Sequence, residues 1–142
     1  MKRYEFRAAK VLRVRRLQED IARADVAAAR HAQAQALASV GAMRQHYAEL
    51  AHPAAPLGTA SFLATQERGG QRAEAVVLAQ HRHDRAQDAT AVALDSWRAA
   101  RQRVEGLERL DERRRAEYDV AARRDEDLQA DEIVIARARS VS

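Results

Sequence analysis

Residues 76–107 read VVLAQHRHDRAQDATAVALDSWRAARQRVEGL. Along them a mostly apolar or small residue returns at alternating intervals of three and four, at Val76, Ala79, His83, Ala86, Thr90, Ala93, Trp97, Ala100, Val104 and Leu107. Such an alternation keeps one stripe of an α-helix facing a partner helix, which is the seam of a coiled coil. Alanine at every second seam position lets that partner approach toward the short end of the usual interaxial range of roughly 8 to 10 Å.

Working outward, the chain holds few residues that could break such a helix. It has 142 residues with only two prolines and five glycines, too few to close the turns of a β-sandwich or an α/β fold. Both prolines and one glycine fall in His52-Pro53-Ala54-Ala55-Pro56-Leu57-Gly58. The reading is therefore a single all-α unit over 1–142, with a helix over 2–51, a turn over 52–59 and a longer helix over 60–139 capped by Thr59 or Ser61. Gly69-Gly70 is a weak point in the second helix, costing about 2 kcal/mol of propensity relative to two alanines.

In the first helix the most apolar line runs Val14, Leu17, Ile21, Ala24 and Ala28. It then slips to intervals of four through Ala32, Ala36 and Val40, and resumes at Met43, Tyr47 and Leu50. This reads as a seam with a stutter, which would locally unwind the supercoil. A short connection makes the two helices antiparallel neighbours. With its midpoint near residue 55, Val14 would face Trp97 and Leu17 would face Leu94, and Gly41 would lie near Gly69-Gly70. The expected seam thus includes Val14, Leu17, Ile21, Leu94, Trp97 and Val104. Everything past about Arg109 would have no partner within the chain, consistent with the charged positions Asp111, Arg114, Asp125 and Glu132 that continue the line.

Composition narrows the function classes. Hydrophobic residues make up 46% of the chain but aromatics only 4%, so a thin seam is better supplied than a thick core. No cysteine is present, which excludes disulfides, thiolate chemistry and Cys-based zinc sites and suits the cytosol. No apolar run approaches a membrane span. His81 and His83, the closest pair of histidines, would point about 200° apart on a helix and could not share a metal. The carboxylates lack the enclosed pocket that a catalytic pair needs, and no nucleotide or nucleophile motif occurs. The expectation is a non-enzymatic protein without catalytic, cofactor or metal sites.

The charge is uneven. Lys2, Arg3, Arg7, Lys10, Arg13, Arg15 and Arg16 stand against Glu5 alone, a net of +6 over 1–16 that leaves −2 for the remainder of a +4 chain. Two readings are open for this end: contact with an acidic protein groove, or with the phosphates of a nucleic acid. The interleaved Val11, Leu12, Val14 and Leu17 make the face amphipathic and favour protein.

Several motifs carry a family resemblance. Tyr4-Glu5-Phe6-Arg7, then Val11-Leu12-Arg13-Val14-Arg15-Arg16-Leu17 with Glu19-Asp20 behind it, resembles the opening of the FliJ proteins, the small stalk of the bacterial flagellar type III export ATPase. Ala93-Leu94-Asp95-Ser96-Trp97-Arg98, Gln102-Arg103, Leu107 to Arg115, Glu117-Tyr118, Asp131-Glu132 and Ala136-Arg137 are similar to that family's carboxy-terminal half in order and spacing.

The resemblance implies an antiparallel coiled coil whose termini enter the pore of the hexameric export ATPase while its hairpin end is directed to the cytoplasmic domain of the export gate. It further implies a role in recycling export chaperones, and a cytoplasmic location, peripheral to the inner membrane at the flagellar basal body through partners alone. It assigns the ATPase-facing end to Arg3, Phe6, Arg7, Leu12, Arg13, Arg113, Arg114, Glu117 and Tyr118, and the gate contact to Phe62, Val76 and Val77. The alternatives are the injectisome version of the same stalk and a basic coiled-coil protein that binds nucleic acid.

Overall fold

The computed structural model describes residues 3–50 and 58–141. They form two helices, α1 over Ala9–Leu50 and the longer α2 over Thr59–Val141, and no strand occurs among the described residues. The fold is all-α, an antiparallel helical hairpin. Most of the expected turn lies outside the described residues. Gly58 takes the N-cap place of α2, its carbonyl accepting the Phe62 amide at 2.8 Å. Neither Thr59 nor Ser61 holds it, since α2 already includes both.

The chain divides into two compact units, each built from part of both helices: unit 1 is 1–19 with 100–142, and unit 2 is 20–99.

In unit 2 the buried line of α1 runs Ala22, Val26, Ala29, Gln33, Ala36, Val40, Met43 and Leu50, with Val40 only 2% exposed. On α2 it runs Val76, Ala79, His83, Ala86, Thr90, Ala93 and Trp97, all buried or half-buried, with Leu94 half-buried beside Trp97. The cross-helix contacts fix the register. Arg44 donates to the Gln80 side chain at 3.2 Å, and Arg72 donates to the backbone carbonyl of His46.

A midpoint at residue 55 would instead have set Arg44 opposite Glu67 and His46 opposite Thr65, so the pairing is displaced along α2 by thirteen and seven residues respectively. Burial explains the displacement: it brings to about one level the two least exposed residues of the unit, Val40 and Ala79. As a result α2 begins beyond the level at which α1 ends, and Thr59 to Ala64 are exposed. The glycines are not a point of close approach either. A Cβ added at Gly41, Gly69 or Gly70 meets nothing within 4 Å.

In unit 1 the buried line of α1 is Leu12, Arg15 and Glu19, and that of α2 is Ala100, Val104 and Leu107. Val104 is 5% exposed. The expected seam residues Val14, Leu17 and Ile21 are not part of the packing: they are 54%, 61% and 55% exposed.

The seam of α1 is an unbroken alternation of three and four from Leu12 to Met43, so the expected stutter is absent. The packed line of α1 is the less apolar one, for a physical reason. The true line passes through Arg15, Glu19 and Gln33, whose aliphatic stems can cover a thin seam while their polar heads reach water. The neighbouring, more apolar line faces solvent.

Unit 1 also differs from expectation at both chain ends. α1 starts at Ala9 instead of residue 2, because Arg3 to Phe6 are non-helical and place the half-buried Tyr4 and Phe6 beside α2. The turn into α1 is closed by the Ala9 amide donating to the Phe6 carbonyl at 3.0 Å. This segment partners α2 well past Arg109: Leu110, Asp111, Tyr118 and Ala122 are all half-buried, and only from Arg123 to Ser140 is every residue exposed.

Candidate functional site

All nine residues expected at the ATPase-facing end fall in unit 1, and the structure gives them different environments. Phe6, Arg7, Arg114 and Tyr118 line one cleft with Tyr4, Glu5, Ala8 and Leu110. Arg3, Arg7, Arg13 and Arg113 are exposed cations. Arg114 is exposed too, and its guanidinium is held by the Glu117 carboxylate at 3.0 Å, one helical turn along. Leu12 is the correction: at 7% exposure it closes the helix packing and offers no surface to a partner.

The centre of the cleft was not foreseen. The Tyr4 hydroxyl donates to Asp111 Oδ1 at 2.7 Å and lies 3.3 Å from the Asp111 backbone carbonyl. The Tyr4 ring sits 5.5 Å from that of Tyr118 at 51°, and the Arg115 guanidinium lies over its face at 5.7 Å. Partial burial, and then the hydrogen bond to the Asp111 carboxylate, hold the Tyr4 phenol above its ordinary pKa; Arg115 and Arg114 oppose the shift. In the sequence Tyr4 stands out as an aromatic residue set within a basic start and as the first residue of the Tyr4-Glu5-Phe6-Arg7 motif.

Ion pairs fasten the neighbouring turns. Arg16 on α1 meets Glu108 on α2 at 2.9 Å, an exposed pair worth about 0.2–1 kcal/mol. Within α2, Arg101 donates to Glu105 at 2.8 Å, which keeps the Glu105 carboxyl below its ordinary range against the opposing effect of burial.

In unit 2, the residues expected at the gate contact separate. Phe62 and Val77 are exposed, whereas Val76 belongs to the seam. A shallow apolar groove lies along Ala73, Glu74, Val77, Leu78 and His81, and Val76 is not part of it. Val76 is half-buried on the line of α2 that packs against α1, which takes it off the outer face that Val77 occupies. His83 is half-buried in the seam, with Nδ1 3.5 Å from the Asp84 carboxylate. Among the described residues no His, Cys, Asp or Glu cluster is arranged to hold a metal, and no helix is long and apolar enough to cross a membrane.

Comparison with known proteins finds no matching curated protein and no matching solved structure. The family model described as flagellar FliJ protein matches residues 4–141, which takes in both units and the whole Tyr4–Tyr118 cleft. By that match over nearly its full length, the chain belongs to the FliJ family of flagellar export components.

Proposed function

We propose that this chain is a non-catalytic stalk and escort of the flagellar type III export apparatus, and that unit 1 is the part that binds the hexameric export ATPase. The observation that carries this reading is that the exposed cations Arg3, Arg7, Arg13 and Arg113 all belong to unit 1, which also holds a cleft lined by Arg7 and Arg114 with apolar walls of Phe6, Leu110 and Tyr118. A ring pore lined by carboxylates complements such a surface. Charge of this kind raises encounter rate and fixes orientation more than it adds affinity. The protein acts by holding partners, through the cations and aromatic faces that the cleft offers.

In the same reading, the groove along Val77 and Leu78 is the contact for the cytoplasmic domain of the export gate, and export chaperones are further partners. The chain then sits in the cytoplasm at the inner-membrane face of the basal body, held there by its partners.

The test is ATP hydrolysis by the purified export ATPase titrated with the chain. Stimulation is expected with the natural sequence and is lost with Arg7→Glu plus Arg13→Glu at unchanged helicity. Stimulation that survives both reversals counts against unit 1 as the binding end. Salt-sensitive retention on DNA without any effect on the ATPase would instead support the nucleic-acid reading.

A further inference from the structure

We propose that unit 1 pairs with unit 1 of a second copy of this chain, the acidic end of one α2 lying along the outer, basic face of the other copy's α1. Two surfaces of the same unit carry the inference, and it does not rest on the export reading.

The first surface is on α1. Val14 and Leu17 are 54% and 61% exposed, on the side of the helix opposite to Leu12 and Glu19, which face α2. Lys10 and Arg13, both exposed, flank them. This is an amphipathic face with no partner in the unit, and over residues 10–17 its charge is wholly positive.

The second surface is the part of α2 that α1 does not cover. Leu128 and Ile135 are 63% and 52% exposed and stand one heptad apart, so they lie on one face of the helix. Asp125, Asp127, Asp131 and Glu132 surround that face, and no lysine or arginine occurs between Arg124 and Arg137. A fully exposed helical segment with an apolar stripe between carboxylates has little reason to hold its stripe in water.

The two faces complement each other in charge and in spacing. Setting Leu17 of one copy beside Ile135 of the other, with the two segments parallel, brings Arg13 level with Asp131 and Lys10 level with Leu128, between Asp127 and Asp131. The arrangement is self-completing. Within unit 1, α1 meets α2 at Glu108 and the segment before it meets α2 at Asp111, whereas the uncovered segment begins only after Ala122. A two-fold axis between antiparallel copies of α2 therefore makes the same contact twice, as a closed dimer requires. A second copy is favoured over an unrelated protein because both halves of the complement are present in one chain.

Sedimentation equilibrium of the full chain, across protein concentration and salt, tests the proposal. The expected result is a species of twice 15.9 kDa that weakens as salt rises. Val14→Gln with Leu17→Gln, and separately Ile135→Gln, should each weaken association by about tenfold or more while leaving helicity intact. Arg13→Glu should weaken it and Asp131→Lys in the same chain should restore it.

The absence of cysteine makes a second readout clean. Mixed under oxidising conditions, Leu17→Cys and Ile135→Cys chains should form the mixed disulfide in preference to either self-pair. A chain that stays at 15.9 kDa at every concentration overturns the proposal. So does a dimer indifferent to all of these substitutions, or one in which the mixed disulfide does not form.

Discussion

The Tyr4 hydroxyl donates to the Asp111 carboxylate across 2.7 Å, joining residues 107 positions apart in sequence. This bond fastens the segment before α1 onto α2 and shapes the cleft proposed to meet the ATPase. Tyr4→Phe keeps the ring against Tyr118 and Arg115 but removes the donor. Hydrogen exchange at the start of α1, around residues 9–12, should accelerate, while exchange in unit 2 stays as it was. Equal exchange in both proteins would mean that the hydroxyl fastens nothing.

The same bond sets a pH dependence. A phenol whose pKa is raised on folding contributes stability that is fully present below its unfolded value of 10.0 and is lost as pH climbs through the higher folded value. The phenolate can no longer donate and repels Asp111. In a spectroscopic titration of tyrosine ionisation, the natural sequence should show a component above 10.0 that Tyr4→Phe lacks. Loss of a component at or below 10.0 instead would contradict this account of the site.

Substitution separates the true seam of α1 from the more apolar line beside it. Leu12→Ala, at a position only 7% exposed, should cost about 2 kcal/mol or more in denaturant unfolding. Ile21→Gln, at 55% exposure, should change stability by no more than about 0.5 kcal/mol. The opposite ranking would restore the seam through Val14, Leu17 and Ile21.

Those two lines show what the sequence made legible. The seam of α2 could be read directly, since alternating alanines from Ala79 to Ala100 leave only one line that a partner can approach. The seam of α1 could not, because Arg15, Glu19 and Gln33 look like surface residues until their stems are seen to serve a seam only one side chain deep. The register was hidden for a different reason. A connection of given length does not require the helices to meet symmetrically about it, and burial of Val40 and Ala79 outweighs symmetry.

At the candidate site, the cations that make the surface were plain from charge alone. The Tyr4–Asp111 bond was not, because it depends on that register and on a non-helical start where composition favours helix.

The paired glycines of α2 offer a gain. A Cβ at Gly69 or Gly70 meets open space, and both residues are helical without positive φ. Gly69→Ala with Gly70→Ala should stabilise this stretch by up to about 2 kcal/mol and slow hydrogen exchange around it. A loss of stability would show that the two glycines serve the packing there.

The groove at Val77 and Leu78 supports a separation of functions. Both side chains are about half exposed, at 55% and 48%, so Leu78→Asp should leave helicity and ATPase stimulation unchanged while abolishing capture by the gate's cytoplasmic domain. Capture that persists would move the gate contact elsewhere on the chain.

The central claim is that unit 1, and not the hairpin end, enters the export ATPase ring. Photo-cross-linking from single positions on the assembled complex tests it most directly, with the probe placed at Arg7 in one protein and at Leu63 in another. The account predicts cross-links from position 7 to the inner surface of the ATPase ring and none from position 63. Cross-links to the ring from position 63 alone would contradict it.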